Sequence, residues 1–318
     1  MVKDLLIIGS GPTGLYAWKF ANNLSLSGTI IEANYEVGGQ ANLAYPEKTI
    51  HNLPGISEIK AKDFVRNMLD DANNDNSKIE LKTNTSVVEV IKVKTPDDFK
   101  FHFLVKFSDH CQATYKSILV CEGLGQYQSI RLVDDDWENI HYVVKNKEDF
   151  NNKKVVIFGG GDSAIDWAKN LSPNANVTLI HRREEFRGPI DSIKDDVEIL
   201  TPFEFKEIRK TDGKKVKSIV VANNGLEKEV KFDECLVQFG AVIKPHPLKG
   251  LNLDRNDLNK IIVDLEMSTS VPGVFAAGDA VIYPTKKRNL IFGFQEAVTA
   301  LSKIEMMINH KKIANKGW

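Results

Sequence analysis

The feature that most constrains this chain is a glycine-rich turn that follows a short apolar run and occurs twice. The apolar residues 5–8 lead into residues 9–14 (GSGPTG), and the apolar residues 155–158 lead into residues 159–164 (GGGDSA). Each turn opens a helical stretch that ends in another apolar run, at 29–31 and at 177–180. Strand, tight turn, helix and strand form a βαβ unit. Two such units about 150 residues apart therefore predict two nucleotide-binding domains in an α/β chain.

In the first turn, each glycine has a steric reason. Gly9 permits the tight turn, Gly11 lets a pyrophosphate approach the backbone, and Gly14 lets the helix pack closely on the strand. The free N–H groups at the helix start then bind phosphate. Glu32 ends the next strand, where its carboxylate can accept hydrogen bonds from both ribose hydroxyls and repels a 2′-phosphate. The site is predicted to bind FAD or NAD, and the alternative is a turn that only packs a helix.

The second turn has Ala164 in the third small position and basic residues where an NAD site would have an acid. His181, Arg182 and Arg183 end the following strand. Guanidinium groups match the charge and geometry of a 2′-phosphate, so this site is predicted to prefer NADPH. The alternative is a surface cluster paired with neighbouring glutamates. The predicted contacts of this site are Gly159, Gly161, Asp162, Ser163, Ala164, His181, Arg182, Arg183 and Arg187.

Composition excludes several classes of protein. Lysine and arginine number 42 against 43 acids, so the chain lacks the basic footprint of a nucleic-acid-binding protein. No apolar run approaches the roughly 20 residues of a membrane span. Cys111, Cys121 and Cys235 are far apart, as in a reducing compartment, and because the first strand begins at once we expect no signal peptide. We therefore expect a cytoplasmic protein without a nucleic-acid or membrane partner, and histidine spacing predicts no metal site.

Residues 269–279 (TSVPGVFAAGD) resemble the second flavin-binding motif of the thioredoxin-reductase-like flavoproteins. Together with both glycine turns and the segments GGQ at 38–40, AYPEK at 44–48, GGGDSAIDW at 159–167 and GFQEA at 293–297, the chain is similar to the thioredoxin-reductase-like ferredoxin–NADP reductases. The resemblance implies two Rossmann-like, three-layer ββα domains. It places an FAD-binding domain at 1–123 and 242–318, an NADPH-binding domain at 124–241, and two such chains in a homodimer.

The same resemblance assigns roles to residues of the FAD domain. Tyr45 would stack on the isoalloxazine, Tyr127 would lie against the flavin, and Val87 would contact the adenine. Trp318 ends the chain where the family usually continues to a histidine over the flavin, so it would stack there from the partner subunit or be a disordered terminus. The implied FAD contacts are Gly9, Gly11, Thr13, Gly14, Glu32, Gln40, Tyr45, Val87, Tyr127, Asp279, Glu296, Ala297 and Trp318.

A missing motif decides the expected activity. Thioredoxin reductases have a CxxC pair before the second glycine turn, and this chain has YVVK at 142–145. Without two thiols no dithiol relay forms, so reduced flavin must pass electrons outward directly. The sequence predicts an NADPH:ferredoxin or flavodoxin oxidoreductase that uses FAD and NADP(H) and needs no catalytic side chain. A bacillithiol-type disulfide reductase, which would have cysteine in place of Thr13, and a non-catalytic NADPH-sensing flavoprotein remain alternatives.

Two further segments of the sequence bear on the predicted cofactor and partner contacts. Residues 121–123 (CEG) depart from the Ala-Thr-Gly or Thr-Ala-Gly that relatives often have, which puts the local flavin contact in doubt. Residues 286–288 (KKR) are either a contact for an acidic partner or an exposed loop.

Overall fold

The computed structural model describes residues 2–74, 76–95, 101–144, 146–244 and 248–309, with the backbone alone at 126–128, 241, 243 and 244. The chain divides into two compact units. The first unit comprises Met1–Tyr127 and Ile243–Trp318, and the second, Gln128–Val242, is inserted between them. From the sequence, the chain is predicted to pass from the first domain into the second after residue 123 and to return to the first after residue 241.

The described part of the chain contains five α-helices and twenty-one strands. The described helices are α1 (Pro12–Asn23), α2 (Gly39–Leu43), α3 (Ala61–Ala72), α4 (Asp162–Leu171) and α5 (Leu290–Asn309). The described strands are β1 (Val2–Ile8), β2 (Gly28–Ile31), β3 (Thr49–Ile50), β4 (Ile59–Lys60), β5 (Ile79–Lys82), β6 (Val87–Val93), β7 (His102–Phe107), β8 (Gln112–Val120), β9 (Gln126–Ser129), β10 (Ile140–His141), β11 (Lys154–Phe158), β12 (Asn176–Ile180), β13 (Glu198–Leu200), β14 (Glu204–Asp212), β15 (Lys215–Asn223), β16 (Leu226–Lys231), β17 (Glu234–Val237), β18 (Ala241–Lys244), β19 (Ile261–Ile262), β20 (Val274–Ala276) and β21 (Val281–Ile282). Over the described ranges, none of these helices has the length and apolar character needed to cross a membrane.

The first unit is built on a seven-stranded sheet in the order β5-β2-β1-β8-β7-β6, with β20 also paired to β8. Strand β8 belongs to two layers, because different parts of it pair with different strands. Residues 112–115 pair antiparallel with β7, and residues 118–120 pair parallel with β20. Strands β5, β2, β1, β8 and β20 are parallel, so the turns that follow β2, β1, β8 and β20 lie side by side along one edge. Ligands of open α/β sheets bind at this carboxyl edge.

The second unit has three layers. Its five-stranded sheet, β10-β17-β11-β12-β13, is parallel throughout, and β14, β15 and β16 form a separate antiparallel sheet. Side chains alternate along β11: Val155 and Ile157 pack in one core cluster with helix α4, and Val156 and Phe158 pack in another with β15 and β16. The sheet is therefore buried on both faces, which explains the unbroken apolar run at 155–158. The predicted α/β fold of two Rossmann-like domains is confirmed.

Asp-Gly and Asn-Gly sequences predict tight hairpin turns, and both occur at such turns in the second unit. The Asp212-Gly213 turn joins β14 to β15, and Asn224-Gly225 joins β15 to β16. Asn224 and Gly225 both have positive φ, 45° and 88°, as a two-residue hairpin turn requires.

The apolar periodicity of the last segment predicts a helix from about Phe294 to Ile308, and the observed helix begins earlier, at Leu290. The Asn289 side chain caps it, with Oδ1 accepting a hydrogen bond from the N–H of Ile291 at 2.9 Å. The apolar periodicity does not reveal this first turn, because Gly293 carries no side chain and glycine is a poor helix former.

Candidate functional site

A cavity of about 540 Å³ lies at the carboxyl edge of the first unit's sheet. The turns after β1, β2, β8 and β20 line it, together with the beginnings of α2 and α5. Its lining brings together residues that are far apart in sequence. The predicted FAD contacts among them are Gly9, Gly11, Thr13, Glu32, Gln40, Val87 and Asp279.

The first glycine turn is shaped by two close backbone approaches. Gly9 has φ of +97°, and a Cβ atom there would lie 2.6 Å from the carbonyl oxygen of Cys121. A Cβ atom on Gly14 would lie 1.9 Å from the carbonyl oxygen of Gly9, so only glycine lets α1 approach β1 this closely. Gly11 faces the cavity with no atom nearer than 4.0 Å to its Cβ position. Helix α1 has no side-chain cap, so its first N–H groups remain for an anion.

Glu32 is buried at the end of β2, and both of its carboxylate oxygens already accept hydrogen bonds. Oε2 accepts from the N–H and the hydroxyl of Ser10 at 3.0 and 2.8 Å. Oε1 accepts from the N–H and the side-chain amide of Asn34 at 2.9 and 3.0 Å. These four donors fix the carboxylate at the cavity wall, and a ribose hydroxyl would have to share it with them. Ser10 and Asn34 have no motif of their own, so the sequence did not identify them.

At the other end of the cavity, Thr13 lies between two glycines. A Cβ atom on Gly278 would be 2.9 Å from Thr13 Oγ1, and one on Gly293 would be 2.4 Å from the same atom. The starts of α1 and α5 therefore meet the turn after β20 at this point. Asp279 Oδ2 accepts a hydrogen bond from Arg288 Nε at 3.2 Å, and both residues line the cavity. Arg288 belongs to the basic residues 286–288, and the sequence did not predict its place in the cavity lining.

Glu296 and Ala297 are fully buried on α5 and are not part of the described cavity lining. The Glu296 carboxylate accepts hydrogen bonds from the hydroxyl of Tyr283 at 2.7 Å, from Lys286 Nζ at 2.5 Å and from the N–H of Gly278 at 2.8 Å. It thereby holds the Gly278 turn against α5. Burial and the hydrogen bond to Glu296 raise the pKa of Tyr283. The predicted approach of the Glu296 and Ala297 backbone N–H groups to a flavin stays a prediction.

The Lys286 contact predicted for an acidic partner is wrong. Its side chain is 4% exposed because it forms the buried ion pair with Glu296. Lys287 and Arg288 are exposed, so these two residues are the solvent-facing part of that basic stretch.

Of the three predicted aromatic contacts, the described structure places the side chain of Tyr45 alone, and it lies outside the cavity lining. Tyr45 is 44% exposed, and Lys48 Nζ lies 5.6 Å from the centroid of its ring. Tyr127 belongs to β9, but its side chain is outside the described part of the structure, and so is the whole of Trp318. Stacking of these rings on a flavin stays a prediction.

The glycine turn of the second unit repeats the geometry of the first. Gly159 has φ of +148°, and a Cβ atom there would lie 2.8 Å from the Cβ of Ala164. The Cβ position of Gly161 meets nothing within 4 Å. Helix α4 begins at Asp162 without a side-chain cap, and Ser163 is partly exposed in its first turn. A diphosphate can therefore approach this helix start.

His181 packs over the glycine turn. Its ring occupies the space where a Cβ atom on Gly160 would be, lies 4.7 Å from the Phe186 ring centroid, and is 3.1 Å by Nε2 from the carbonyl oxygen of Glu185. Burial, together with the charges of the nearby arginines, lowers the pKa of His181. The imidazole thus shapes the turn as a neutral ring, and its predicted contact with a phosphate stays untested.

Three exposed guanidinium groups surround this turn. The N–H of Arg187 donates to the carbonyl oxygen of Gly160 at 2.8 Å, and the Thr201 hydroxyl donates to the carbonyl oxygen of Arg183 at 2.6 Å. The segment is therefore fixed against the turn by its backbone. Within the described ranges, no ion pair joins Arg182, Arg183 or Arg187 to an acid, so the structure gives no support to pairing with the adjacent glutamates. These charges remain for an anionic ligand.

The three cysteines of the chain are all described, and none forms a disulfide. Cys121 lines the cavity and is buried, Cys111 is exposed, and Cys235 is buried in the other unit. Burial raises the pKa of Cys121, with a further rise from the charges of Glu296 and Glu122. A neutral thiol without a second sulfur beside it cannot serve as a dithiol relay.

The sequence of this chain matches that of a known enzyme family. A family model described as pyridine nucleotide-disulphide oxidoreductase matches residues 3–303. The chain belongs to this family. It is 36% identical to a ferredoxin–NADP reductase of Halalkalibacterium halodurans, over 96% of this chain and 93% of that one, and 34% identical to one of Thermus thermophilus, over 99% and 95%. The predicted resemblance is confirmed.

Solved structures with the same fold include thioredoxin reductases and bacillithiol disulfide reductases. The thioredoxin reductase from Lactococcus lactis is 24% identical, with a TM-score of 0.67 over 97% of this chain and 100% of that one. The thioredoxin reductase from T. acidophilum is 22% identical, with a TM-score of 0.68 over 96% and 99%. At these identities the likeness concerns the fold alone, and the missing thiol pair separates this member of the family from a dithiol enzyme.

We predict that Lys286→Met lowers the free energy of unfolding by about 3 kcal/mol, because it leaves the buried Glu296 carboxylate without its counter-charge. Urea denaturation followed by circular dichroism measures the change. Lys287→Met is the matched control, since Lys287 is exposed and its replacement should change stability by less than about 0.5 kcal/mol. Equal midpoints for the Lys286 and Lys287 variants would contradict a supporting role for the ion pair.

Proposed function

We propose that this chain is an NADPH:ferredoxin or NADPH:flavodoxin oxidoreductase that uses FAD, with FAD in the first unit and NADPH in the second. The observation that carries the proposal is the cavity at the carboxyl edge, which is lined as an FAD site but contains a single buried thiol. When bound there, FAD accepts a hydride and can release its electrons one at a time. With no sulfur pair beside it, electrons leave for a one-electron partner.

The residues of the first unit fit the cofactor. The turn at Gly9 and Gly11 and the uncapped start of α1 would hold the pyrophosphate, and the fixed Glu32 carboxylate would hold the adenosine ribose. Gln40 and Asp279 would hold the flavin end, with Thr13 fixing the distance between α1 and α5. None of these side chains has to move a proton, so no catalytic acid or base is assigned.

In the second unit, Arg182, Arg183 and Arg187 would bind the 2′-phosphate of NADPH. No ion pair in the described structure joins these three side chains to an acid, so their charges can favour an additional phosphate over the hydroxyl of NADH. The N–H groups at the start of α4 would bind the diphosphate.

Ferredoxin is proposed as the partner because the relatives over nearly the whole chain are named ferredoxin–NADP reductases. Flavodoxin is the alternative one-electron acceptor, and a homodimer is proposed from the resemblance. A bacillithiol-type disulfide reductase is disfavoured because Thr13, packed against Gly278 and Gly293, stands where that family has a cysteine.

We predict that Arg182→Ala combined with Arg187→Ala raises KM for NADPH on the order of 100-fold, since each charge-assisted hydrogen bond to the phosphate contributes about 1.5 kcal/mol. The KM for NADH, which lacks that phosphate, should change less than about twofold. Steady-state ferricyanide reduction with each cofactor measures both values. Arg209→Ala, an exposed arginine on β14, is the control, and a parallel rise in both KM values would argue against a 2′-phosphate site.

NADPH-driven reduction of cytochrome c, with and without added ferredoxin or flavodoxin, tests the activity itself. We expect the FAD-loaded protein to reduce cytochrome c at least about tenfold faster when one of these carriers is present. A rate that is the same with and without either carrier would contradict the proposed partner. Bound FAD with no turnover of any acceptor would instead identify a non-catalytic NADPH sensor.

A further inference from the structure

Glu122 is an acidic residue in a place where the proposed cofactor needs no further negative charge. It follows β8, and its side chain is 10% exposed at the wall of the cavity. Related proteins often have threonine or alanine here, so the long carboxylate side chain is a departure of this chain. The motifs of the sequence gave it no role.

The two carboxylate oxygens of Glu122 have different surroundings. Oε1 lies 3.5 Å from Nη2 of Arg255, whose side chain also donates from Nη1 to the carbonyl oxygen of Asn259 at 2.8 Å. Oε2 is buried and has no hydrogen-bond partner in the described part of the structure. Buried polar atoms are almost always hydrogen-bonded, so an orphaned oxygen at a cavity wall indicates a ligand that completes it.

Burial raises the pKa of Glu122, and the adjacent Arg255 guanidinium opposes that rise. The ion pair with Arg255 balances the charge of the carboxylate within the cavity wall. An ionised carboxylate accepts hydrogen bonds and cannot donate them. The missing partner of Oε2 is therefore a donor, and a hydroxyl group fits that requirement.

The order of strands locates the donor along the cofactor. At the carboxyl edge, the strand ends follow the order β2, β1, β8 and β20, because each pairs in parallel with the next. Glu32 follows β2, the glycine turn follows β1, Glu122 follows β8, and Asp279 follows β20. Glu122 thus lies between the position proposed for the pyrophosphate and the position proposed for the flavin end. In FAD, the donors between those groups are the hydroxyls of the ribityl chain.

We propose that Glu122 is a further cofactor-binding residue of this chain, whose Oε2 accepts a hydrogen bond from a ribityl hydroxyl of FAD while Arg255 holds the carboxylate through Oε1. The inference rests on the proposed FAD site. It adds a contact at a position where the family pattern does not supply an acid.

The test compares FAD with ADP, which contains the adenosine and pyrophosphate but lacks the ribityl chain. Apoprotein is titrated with each ligand by calorimetry, for the wild type and for Glu122→Ala, Glu122→Met and Glu122→Gln. Alanine and methionine remove the acceptor, so we expect the Kd for FAD to rise about tenfold, which corresponds to about 1.4 kcal/mol. The Kd for ADP should stay within about twofold. Glutamine keeps an acceptor oxygen, so its Kd for FAD should rise no more than about threefold.

Controls separate this inference from a folding defect and from the proposed function. Glu58→Ala replaces an exposed glutamate outside the cavity and should leave both Kd values unchanged. Thermal unfolding of each apoprotein checks folding, and methionine preserves the volume of the side chain if alanine disturbs it. An unchanged Kd for FAD in the alanine and methionine variants, or an equal weakening of FAD and ADP, would overturn the ribityl contact alone. A wild-type protein that binds no FAD would overturn the proposed function as well.

Discussion

The close approach of α1 to β1, which glycine at positions 9 and 14 alone permits, is the contact on which the candidate FAD site depends. With 1.9 Å between a Cβ atom on Gly14 and the carbonyl oxygen of Gly9, no other residue allows the helix to begin so near the strand. The helix start is thereby brought to the sheet edge, where its unpaired N–H groups meet the turns after β2, β8 and β20. In the second unit, Gly159 and Ala164 permit the same close approach of a helix to a strand, because the small side chain of Ala164 still fits. The same design thus supports both of the anion sites proposed for this chain.

Buried charges then fix the loops around the first site. Glu32 is held by Ser10 and Asn34, and Glu296 is held by Tyr283, Lys286 and the N–H of Gly278. Each carboxylate joins segments that are distant in sequence, so the geometry of the cavity does not rely on apolar packing alone. A buried ion pair such as that of Glu296 with Lys286 contributes little net stability, but the loss of one partner is strongly destabilising.

Local sequence patterns predicted the strands, helix starts and turns that depend on neighbouring residues alone. Apolar runs gave β1 and β11, the two glycine turns gave the starts of α1 and α4, and Asn224-Gly225 gave a hairpin with two positive φ values. Long-range contacts were not predictable in the same way. Lys286 has the sequence context of an exposed loop, and only the folded chain brings it to Glu296. The role inferred for Glu122 depends on its ion pair with Arg255, and the whole second unit separates these two residues in the sequence.

The central claim is that reduced FAD in the first unit has no thiol pair to which it could pass its electrons. Anaerobic titration of the FAD-loaded protein with dithionite, followed by the flavin absorbance, tests this most directly. The account predicts that two electrons per FAD complete the reduction, because the flavin is the only redox group that takes part. Uptake of four electrons per FAD would reveal a reducible disulfide and would contradict the account.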